Sequence, residues 1–411
     1  MSRSPAAHGK PSLLAVTSEL PWPLSTGGHL RTFHLLRALA RCYAVRLVTP
    51  LTPDQSPAVN RVQAAGIAVC PAKVGSRLRW REAFRAVRAA LRREPYVLYR
   101  RHDRSAVHRT LRQEISRAKP QVVYLDHLDS FLYQPLLADI PRVLDLHNVY
   151  STLVARIAEE QQAKWSRLYL RREARLLAAV EQEAAKTAHA LLTVSEDDSR
   201  HFNGLHPRSL HLIPNGVDCS LYEVLPTGRA RSQPIILYLG AMSWEPNVTA
   251  ALFLAQEVLP AIRAQMPEVR LRIVGRDPTA EVQALNSLPG VEVTGSVPEV
   301  LPHLREASLL AVPLEAGGGT RLKILEAFAA GLPVISTGVG CEGLAVRHQD
   351  HLLIADRKDF VAAALALLRD PQRGRHLAEQ ARPFVRKHYD WSRIGDLACQ
   401  AITSVLSPGS S

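Results

Sequence analysis

Short runs of β-branched and other apolar residues alternate along the whole chain with segments of helical periodicity. Residues 13–17 form the first such run, and in residues 29–41 apolar side chains then recur every three or four positions. A helix between two successive strands allows these strands to pair in parallel, so the alternation predicts an α/β architecture with parallel sheets. Further strands are predicted at residues 45–49, 67–69, 122–125, 143–146 and 190–194, and a long charged region of one or two helices at residues 150–188.

The alternation is interrupted once, between residues 211 and 234, where Pro, an Asn-Gly pair and a basic polar stretch follow one another. Such a composition is typical of a linker between domains. Beyond this segment the alternation resumes. Strands are predicted at residues 235–239, 270–274, 291–293, 309–312 and 333–336, and helices at residues 247–265, 320–330, 359–369, 374–388 and 391–405.

This organisation predicts two doubly wound domains with a cleft between them. A chain of 411 residues is too long for one ordinary core, and its 46% of hydrophobic residues is enough for two. The predicted division is a flexible N-terminus at residues 1–11, a first domain at 12–213, a linker at 214–233, a second domain at 234–388, and a C-terminal helix at 389–411 that packs back on the first domain. In open parallel sheets ligands lie beyond the carboxyl ends of the strands, so the residues that follow strands are the first candidates for a site.

Neither a membrane span nor a metal or disulfide framework is indicated. No apolar run reaches the roughly 18 residues that a membrane-spanning helix needs, and the first ten residues lack the apolar core of a signal peptide. We therefore expect a soluble, cytoplasmic protein. The five cysteines are scattered without a Cys-x-x-Cys pair, which predicts free thiols.

The basic residues are unevenly distributed. Lys and Arg outnumber Asp and Glu by 51 to 38, and a dense arginine block occupies residues 77–112. Within it Trp80, Phe84, Val87 and Leu91 recur at helical spacing, so one helix face is apolar and the other cationic. Two interpretations stay open: a solvated charged face, or a helix that rests on an anionic membrane near a lipid-linked acceptor, at the inner membrane face. Nucleic acid is not expected as a partner, because the aromatic residues do not lie between the arginines.

A first candidate motif follows the first strand. Thr26, Gly27 and Gly28 open the helix at residue 29, and Arg31 lies in its first turn. Paired glycines allow a backbone to approach a phosphate closely, and a helix N-terminus offers free N–H groups and partial positive charge. The spacing is not that of a dinucleotide-binding Gly-x-Gly-x-x-Gly motif, and a plain turn into a helix is the alternative.

A second motif places a histidine just past a buried strand. His147 follows the strand at residues 143–146, where an imidazole can donate to a sugar hydroxyl or position a reacting group. The alternative is a buried histidine with satisfied hydrogen bonds. Asp126, His127 and Asp129 end the preceding strand in the same way and are candidates for the acceptor side of a site.

The third motif, EAGGGTRLKILEA at residues 315–327, carries the most specific signal. It passes from the end of a strand through three glycines, Gly318 and Gly319 among them, into a helix that Thr320 is placed to cap. Free N–H groups at such a helix start bind phosphate oxygens. The alternative is a glycine-rich loop without a ligand.

Three side chains extend this third motif. Arg321 and Lys323 fall in the predicted first turn, where two cations and the N–H groups would together hold a diphosphate. Glu326 stands nearly two turns into the helix, where its carboxylate would accept two hydrogen bonds from a ribose. A Lys323–Glu326 surface pair at i, i+3 spacing is the alternative.

These motifs resemble family 4 of the retaining glycosyltransferases, and specifically a subgroup with GGGTRLKILEA text. The likeness covers nearly the whole chain. It is carried by residues 26–39, Ile213-Pro214-Asn215-Gly216-Val217-Asp218, Gly240, Trp244-Glu245-Pro246-Asn247, Ile273-Val274-Gly275 and residues 317–330.

The resemblance implies a GT-B fold of two Rossmann-like domains, with the nucleotide held mainly by the C-terminal one and the acceptor by the N-terminal one. It implies that Gly28 contacts the donor diphosphate, that His147 contacts the transferred sugar and that Glu326 contacts the ribose. Gly240 would lie beside the donor. The anomeric configuration would be retained, with the departing phosphate receiving the proton.

The sequence departs from this family in two places. Many members carry a glutamate that orients the sugar eight positions before the equivalent of Glu326, where this chain has Gly318; Glu315 is the nearest acid. Many members also place Arg and Lys after the first strand of the second domain, where this chain has Met242-Ser243-Trp244-Glu245. Arg321 and Lys323 look like the replacement for these cations.

We therefore predict clamping of the donor diphosphate between Gly27-Gly28 and the Arg321/Lys323 helix start. Neither a metal nor a cofactor is expected, because the cations stabilise the leaving phosphate and no Asp-x-Asp stands in a suitable loop. The donor nucleotide, the sugar and the acceptor stay open, with glycan, lipid-linked saccharide and natural-product acceptors all compatible. The alternatives are a nucleotide-sugar epimerase or hydrolase, and a non-catalytic protein that binds sugar or nucleic acid.

Overall fold

The chain forms two units, each with its own parallel sheet and its own core. The computed structural model describes residues 9–75, 79–137, 140–222, 233–316 and 321–406. The N-terminal unit comprises the chain up to Pro214 together with the residues from Ile394 onward, and the C-terminal unit comprises the residues from Asn215 to Arg393. In the described part of the chain, no helix combines the length and the apolar character that crossing a membrane requires.

The sheet of the N-terminal unit has seven strands in the order β3-β2-β1-β4-β5-β6-β7, all parallel. Its strands are β1 (Ser12–Val16), β2 (Ala44–Leu51), β3 (Ala68–Lys73), β4 (Val122–Asp126), β5 (Arg142–Leu146), β6 (Ala190–Thr193) and β7 (Leu210–Leu212). The central strands are apolar on both faces because helices cover the sheet on both sides. Strand order reverses between β1 and β4, so the carboxyl ends of these strands mark the place where ligands bind in such sheets.

Eight α-helices lie between the first and the last strand of this sheet in the described residues. They are α1 (Gly27–Cys42), α2 (Ser56–Gln63), α3 (Arg79–Leu91), α4 (Ser105–Ala118), α5 (His127–Ser130), α6 (Tyr150–Glu160), α7 (Lys164–Thr187) and α8 (Glu196–Asn203). Side-chain N-caps begin two of these helices. The hydroxyl of Thr26 accepts from the backbone N–H of His29 in α1, and the hydroxyl of Ser195 accepts from the backbone N–H of Asp198 in α8. The charged region predicted at residues 150–188 is thus two helices.

The sheet of the C-terminal unit has six parallel strands in the order β10-β9-β8-β11-β12-β13. Its strands are β8 (Ile235–Leu239), β9 (Arg270–Val274), β10 (Val291–Gly295), β11 (Leu309–Val312), β12 (Val334–Ser336) and β13 (Leu353–Ile354). The order reverses between β8 and β11, which places the ends of these two strands at the switch point.

The remaining helices follow these strands. They are α9 (Glu245–Phe253), α10 (Leu259–Arg263), α11 (Ala280–Ala284), α12 (Leu301–Glu306), α13 (Leu322–Ala329), α14 (Arg357–Arg369), α15 (Pro371–Tyr389) and α16 (Trp391–Leu406). A π-helical turn, Leu254–Val258, joins α9 to α10. The backbone approaches itself closely beyond β8 and β9, since a Cβ on Gly275 would lie 1.6 Å from the carbonyl oxygen of Gly240.

The α/β class with two Rossmann-like doubly wound sheets is confirmed, while some local predictions were wrong. β7 and β13 were not predicted, and β7 overlaps the start of the interruption at residues 211–234, just before the predicted linker at 214–233. Helix α13 begins at Leu322, so Arg321 stands at the N-cap position and not in the first turn. The last helix packs against α1, where the hydroxyl groups of Tyr43 and Thr403 lie 2.8 Å apart.

Candidate active site

Three side chains meet at the carboxyl ends of β4 and β5 in the N-terminal unit. Asp126 ends β4, while Asp145 and His147 lie at the end of β5. The Nε2 atom of His147 is 3.2 Å from a carboxylate oxygen of Asp126 and 3.2 Å from one of Asp145. All three side chains are buried. Two carboxylates thus face one imidazole ring at the switch point of this sheet.

The carboxylate of Asp145 has two further partners. Arg31 on α1 is fully buried and binds it through two nitrogens, with Nε 2.9 Å from Oδ2 and Nη2 2.5 Å from Oδ1. The guanidinium also donates to the carbonyl oxygen of Ile213 at 2.7 Å, and Tyr124 donates to Oδ2 of Asp145 at 2.5 Å. The predicted donor contact of Arg31 stays a prediction, but in this structure its guanidinium binds protein groups inside the unit.

The carboxylate of Asp126 orients a second histidine. It accepts from the hydroxyl of Thr32 at 2.9 Å and lies 2.8 Å from Nδ1 of His127. The rings of His127 and His147 contact each other, with centroids 3.5 Å apart. A Cβ added to Gly28 would lie 3.5 Å from His127 and 3.9 Å from His147, so the glycine-rich turn borders both rings. The structure therefore brings Gly28, His127 and His147 together.

The charges in this cluster depend on one another. Burial would raise the pKa of Asp126, but the neighbouring His127 and His147 outweigh it and hold that pKa far below its usual range. Burial would lower the pKa of His127, but Asp126 raises it to about 9. His127 is therefore a cation at neutral pH. Its backbone is left-handed, with φ 63°, a conformation that costs energy outside glycine and is often found at functional sites.

Asp129 lies one turn further, on α5. Its Oδ2 is 3.3 Å from Nδ1 of His102, while its buried Oδ1 has no hydrogen-bond partner among the described residues. Burial raises the pKa of Asp129, and His102 only partly offsets this. Asp129 was predicted on the acceptor side, which no contact here tests; His102 was not predicted, because nothing in the local sequence marks it.

Asp126, His127 and His147 also form the one group in the described parts of the chain whose oxygen and nitrogen atoms lie close enough to share a metal ion, all within 4.8 Å. The Asp126 carboxylate is already engaged by Thr32 and His127. These contacts stabilise the cluster as an ion-pair network, in which a metal would have to replace existing hydrogen bonds.

The C-terminal unit holds the second constellation, around Lys323 on α13. The ammonium group of Lys323 donates to Oδ1 of Asn247 at 3.1 Å and lies 4.6 Å from the ring centroid of Tyr238. The hydroxyl of Tyr238 donates to the same Asn247 oxygen at 2.8 Å. Burial and the neighbouring Arg321 together lower the pKa of Lys323 to about 7. Tyr238 was not predicted; its position at the end of β8 was its only signal.

Close packing fixes the position of Asn247. A Cβ on Gly240 would lie 2.7 Å from the Asn247 side chain, so only glycine fits there. The Asn247 amide nitrogen also donates to the carbonyl oxygen of Ala241 at 2.9 Å. Gly240, predicted as a donor contact, thus also makes room for the residue that positions Lys323.

Arg321 and Glu326 lie before and within α13. Arg321 is buried, and its Nη2 donates to the carbonyl oxygen of Val339 at 3.0 Å. Glu326 is half-buried, and its carboxyl group forms no hydrogen bond or ion pair with the described residues. Burial raises the pKa of Glu326 to about 7, although the neighbouring Lys323 lowers it. The Lys323–Glu326 surface pair, which was the alternative interpretation, is not formed as a salt bridge, and the Glu326 carboxyl group is available to a ligand.

The other predicted residues of the third motif are placed less fully. Glu315 is 60% exposed and forms an ion pair with Arg357 at 3.0 Å, so its role as a sugar-orienting acid stays a prediction. Gly318, Gly319 and Thr320 lie outside the described residues.

Comparisons with known proteins find related sequences along most of the chain. Residues 26–221 match the profile described as "Glycosyltransferase Family 4", and residues 233–370 match "Glycosyl transferases group 1". The chain is 30% identical over 206 residues to the phosphatidyl-myo-inositol mannosyltransferase of Mycolicibacterium smegmatis, a match that covers 48% of this chain and 52% of that protein. It thus spans about half the length of the curated relatives it matches.

Solved structures show the same fold over nearly the whole chain. The sucrose-phosphate synthase of Thermosynechococcus elongatus superposes with a TM-score of 0.69 at 18% identity, over 97% of this chain and 100% of that one. Anabaena Alr3699/HepE, solved in complex with UDP-glucose, superposes with a TM-score of 0.65 at 14% identity, over 96% and 99%. Both sheets and both family matches lead to one conclusion: the chain belongs to glycosyltransferase family 4 and has the GT-B fold.

Proposed function

We propose that this chain moves a sugar from a nucleotide-diphosphate donor to an acceptor hydroxyl group, with retention of the anomeric configuration. The observation that carries the proposal is Glu326, a half-buried carboxyl group without a protein partner in the described residues, on the same helix as Lys323. A buried polar group is costly unless it gains hydrogen bonds, so a ligand with two adjacent hydroxyl groups fits it well.

In the C-terminal unit, Glu326 would accept hydrogen bonds from the ribose, while Arg321 and Lys323 would bind the diphosphate. Lys323 is held by Asn247 against Tyr238, and its pKa of about 7 leaves it only partly charged without a ligand. A bound diphosphate would raise that pKa again, since a neighbouring anion favours the ammonium form. The nucleotide complexes of the similar Anabaena structure support this choice of donor.

In the N-terminal unit, Gly27 and Gly28 would contact the donor diphosphate with their backbone, and His147 would contact the transferred sugar. Gly28 borders the imidazole of His147, which is buried against the ring of His127 and has its Nε2 3.2 Å from the carboxylates of Asp126 and Asp145. A fixed ring of this kind can position a sugar hydroxyl without reorganising during the reaction.

The reaction breaks the bond between the anomeric carbon and the diphosphate oxygen. Negative charge develops on the departing phosphate, where Arg321, Lys323 and backbone N–H groups stabilise it. The acceptor oxygen forms the new bond on the same face of the sugar, and its proton passes to the departing phosphate. All charge stabilisation in this scheme comes from protein groups, and neither a metal nor a cofactor takes part.

The acceptor is proposed to be lipid-linked and presented at a membrane. The name of the Mycolicibacterium smegmatis relative specifies a phosphatidyl-myo-inositol acceptor. The arginine block at residues 77–112 would bring this chain, as a peripheral protein, to the inner face of a membrane.

The test is a thermal-shift panel of nucleoside diphosphates, followed by turnover of the matching nucleotide sugars with and without acceptor lipids. A ligand present at about one hundred times its Kd stabilises the fold by about 2.7 kcal/mol, so the preferred nucleotide stands out. NMR of the product then gives the anomeric configuration.

A double variant, Arg321→Ala/Lys323→Ala, should lose turnover by at least about a hundredfold while it stays folded. The exposed pair Arg270→Ala/Arg305→Ala removes the same charge elsewhere in the C-terminal unit and should leave turnover unchanged. Normal turnover in the first variant would remove the diphosphate role of these two residues. Isomerised donor, or hydrolysis that acceptors never accelerate, would instead identify an epimerase or a hydrolase.

A further inference from the structure

Helix α3 presents its apolar side to solvent. Trp80 and Phe84 are each 66% exposed, Val87 is 59% exposed and Leu91 is 80% exposed. These positions are separated by three or four residues, so they form one stripe along the helix. We call them the α3 stripe.

The opposite side of α3 packs against the protein through polar contacts. Arg85 forms an ion pair with Glu82 and donates to the carbonyl oxygens of Arg100 and Asp103, at 2.8 and 2.7 Å. The hydroxyl of Tyr96 also donates to Glu82, at 3.0 Å. Amphipathic helices of globular proteins normally bury their apolar face. The orientation of α3 is the reverse: its apolar stripe faces solvent, while Glu82 and Arg85 face the protein.

Positive charge borders the α3 stripe. Arg88 and Arg92 are exposed, and neither guanidinium group forms a hydrogen bond or ion pair with the described residues. Both line a pocket of about 160 Å³ beside α3, together with Arg85, Arg100, Glu94 and Asp103. Four guanidinium groups against two carboxylates leave this pocket with an excess of positive charge, which complements a layer of phosphate groups.

A second group of exposed apolar residues lies on a neighbouring helix. On α7, Trp165 is 84% exposed, Leu168 is 61% exposed and Tyr169 is 43% exposed. Further along α7, Arg172 donates to the carbonyl oxygen of Ala90 at 2.9 Å, so this helix adjoins the C-terminal end of α3. Aromatic residues with one apolar and one polar end, such as Trp and Tyr, favour the interface of membranes.

We propose that the α3 stripe inserts into the surface of a membrane that contains anionic lipids, with Arg88 and Arg92 bound to lipid phosphates and Trp165 and Leu168 of α7 inserting beside it. The described helices do not span a membrane, and an interfacial helix with an apolar and a basic face binds reversibly to such a surface. The biological role of this docking rests on the proposed transfer to a lipid-linked acceptor. The docking itself is inferred from the exposed apolar residues and the neighbouring arginines, which do not depend on that reaction.

The test is sedimentation of the full chain with vesicles of phosphatidylcholine alone or mixed with phosphatidylglycerol. Binding is expected only to the mixed vesicles, and it should weaken with salt, since the electrostatic part is screened. Phe84→Ser/Leu91→Ser should weaken binding by about tenfold per side chain, because apolar insertion is lost. Arg88→Gln/Arg92→Gln should weaken it by roughly twentyfold at low salt and much less at high salt.

Matched controls separate this surface from general effects. Leu212→Ser/Leu221→Ser removes two exposed leucines elsewhere, and Arg270→Gln/Arg305→Gln removes two exposed arginines of the C-terminal unit. Both should bind vesicles like the unaltered chain. Binding that is equal in all variants, or absent with both kinds of vesicle, would overturn the proposal.

Two further readouts distinguish the possible failures. A dimer that Phe84→Ser/Leu91→Ser dissociates, without any vesicle binding, would mean that a second copy of the chain covers the stripe, and would overturn membrane docking. Turnover of a nucleotide sugar without lipid is measured in the same variants. If the chain turns over a nucleotide sugar but never binds vesicles, docking fails and the transferase function stands. If the chain binds vesicles but turns over no nucleotide sugar, docking stands and the transferase function fails.

Discussion

The carboxyl group of Glu326 has no hydrogen-bond partner in the described residues, and the nearby Lys323 compensates the cost of its burial only in part. Its pKa, raised to about 7 by burial, means that it is not fully ionised at neutral pH without a ligand. Ribose hydroxyl groups would donate to the carboxylate and favour its charged form. The sequence marked Glu326 through its spacing from Arg321 and Lys323, whereas its missing partners became visible only in the fold.

We predict that Glu326→Gln weakens binding of the preferred nucleoside diphosphate by about ten- to a hundredfold, since hydrogen bonds to a charged group contribute about 1.5–3 kcal/mol. Isothermal titration calorimetry measures this directly. Glu281→Gln, an exposed position of the same unit, is the matched control. Unchanged affinity in Glu326→Gln would contradict contact with the ribose.

His127 provides a prediction of pH dependence. Its pKa is about 9 in the folded chain and 6.5 as a free side chain, because the Asp126 carboxylate stabilises the imidazolium. A raised pKa means that the folded state binds more protons between these two values, so stability falls as the pH rises. The contribution of His127 should be full below pH 6.5 and lost as the pH passes through about 9.

Two measurements check the titration of His127. NMR of its ring protons should give a midpoint near 9 in the unaltered chain and a much lower one in Asp126→Asn. In His127→Asn the fall in unfolding free energy over this range should become smaller. A midpoint close to 6.5 in the unaltered chain would show that the ion pair does not form.

At the scale of elements, most strands and helices could be predicted from the spacing of apolar residues, because an element that packs against a sheet buries residues at a regular interval. β7 and β13 escaped prediction, since three and two residues are too few to show a period. For α3 the sequence established an amphipathic helix but not its orientation, which depends on where distant neighbours pack. The same holds for Lys323, whose partners Asn247 and Tyr238 are far away along the chain.

The contact of α16 with α1 depends on one glycine. A Cβ on Gly395 would lie 2.2 Å from the Cβ of Ala38, closer than real side chains approach. We predict that Gly395→Ala lowers the free energy of unfolding by about 1–3 kcal/mol, because overpacking outweighs the gain in helix propensity.

Chemical denaturation of Gly395→Ala, Ala38→Gly and the double variant tests this contact. Ala38→Gly alone should destabilise, because glycine in a helix costs about 1 kcal/mol. In the Gly395→Ala background the same substitution should restore stability, since it removes the clashing methyl group. Additive losses would show that the two helices are not in contact at this point.

For the whole molecule, the main feature is that each unit has its own core. The apolar residues of β1, β4 and β5 belong to one cluster, and those of β8, β9 and β11 to another. A ligand stabilises the part of the chain to which it binds and affects the rest only through coupling. Because the two cores are separate, the unit that binds a ligand can be identified by measuring which unit the ligand stabilises.

We predict that a nucleoside diphosphate slows amide hydrogen exchange mainly in residues 215–393. Mass spectrometry of peptides from both units measures this, with the matching nucleoside without phosphates as the control. Protection concentrated at the ends of β1, β4 and β5 would mean that the nucleotide binds mainly to the N-terminal unit, which would contradict the proposed reaction.

The division of the chain has a consequence for biosynthesis. The N-terminal unit ends at Pro214 and is resumed only at Ile394, after all of the C-terminal unit. As the ribosome emits the chain, α1 emerges before the C-terminal unit, and the helix that covers Ala38 emerges after it. Vectorial folding can thus complete the second unit before the first, and until that helix has been made, this side of α1 is a surface for chaperones to shield.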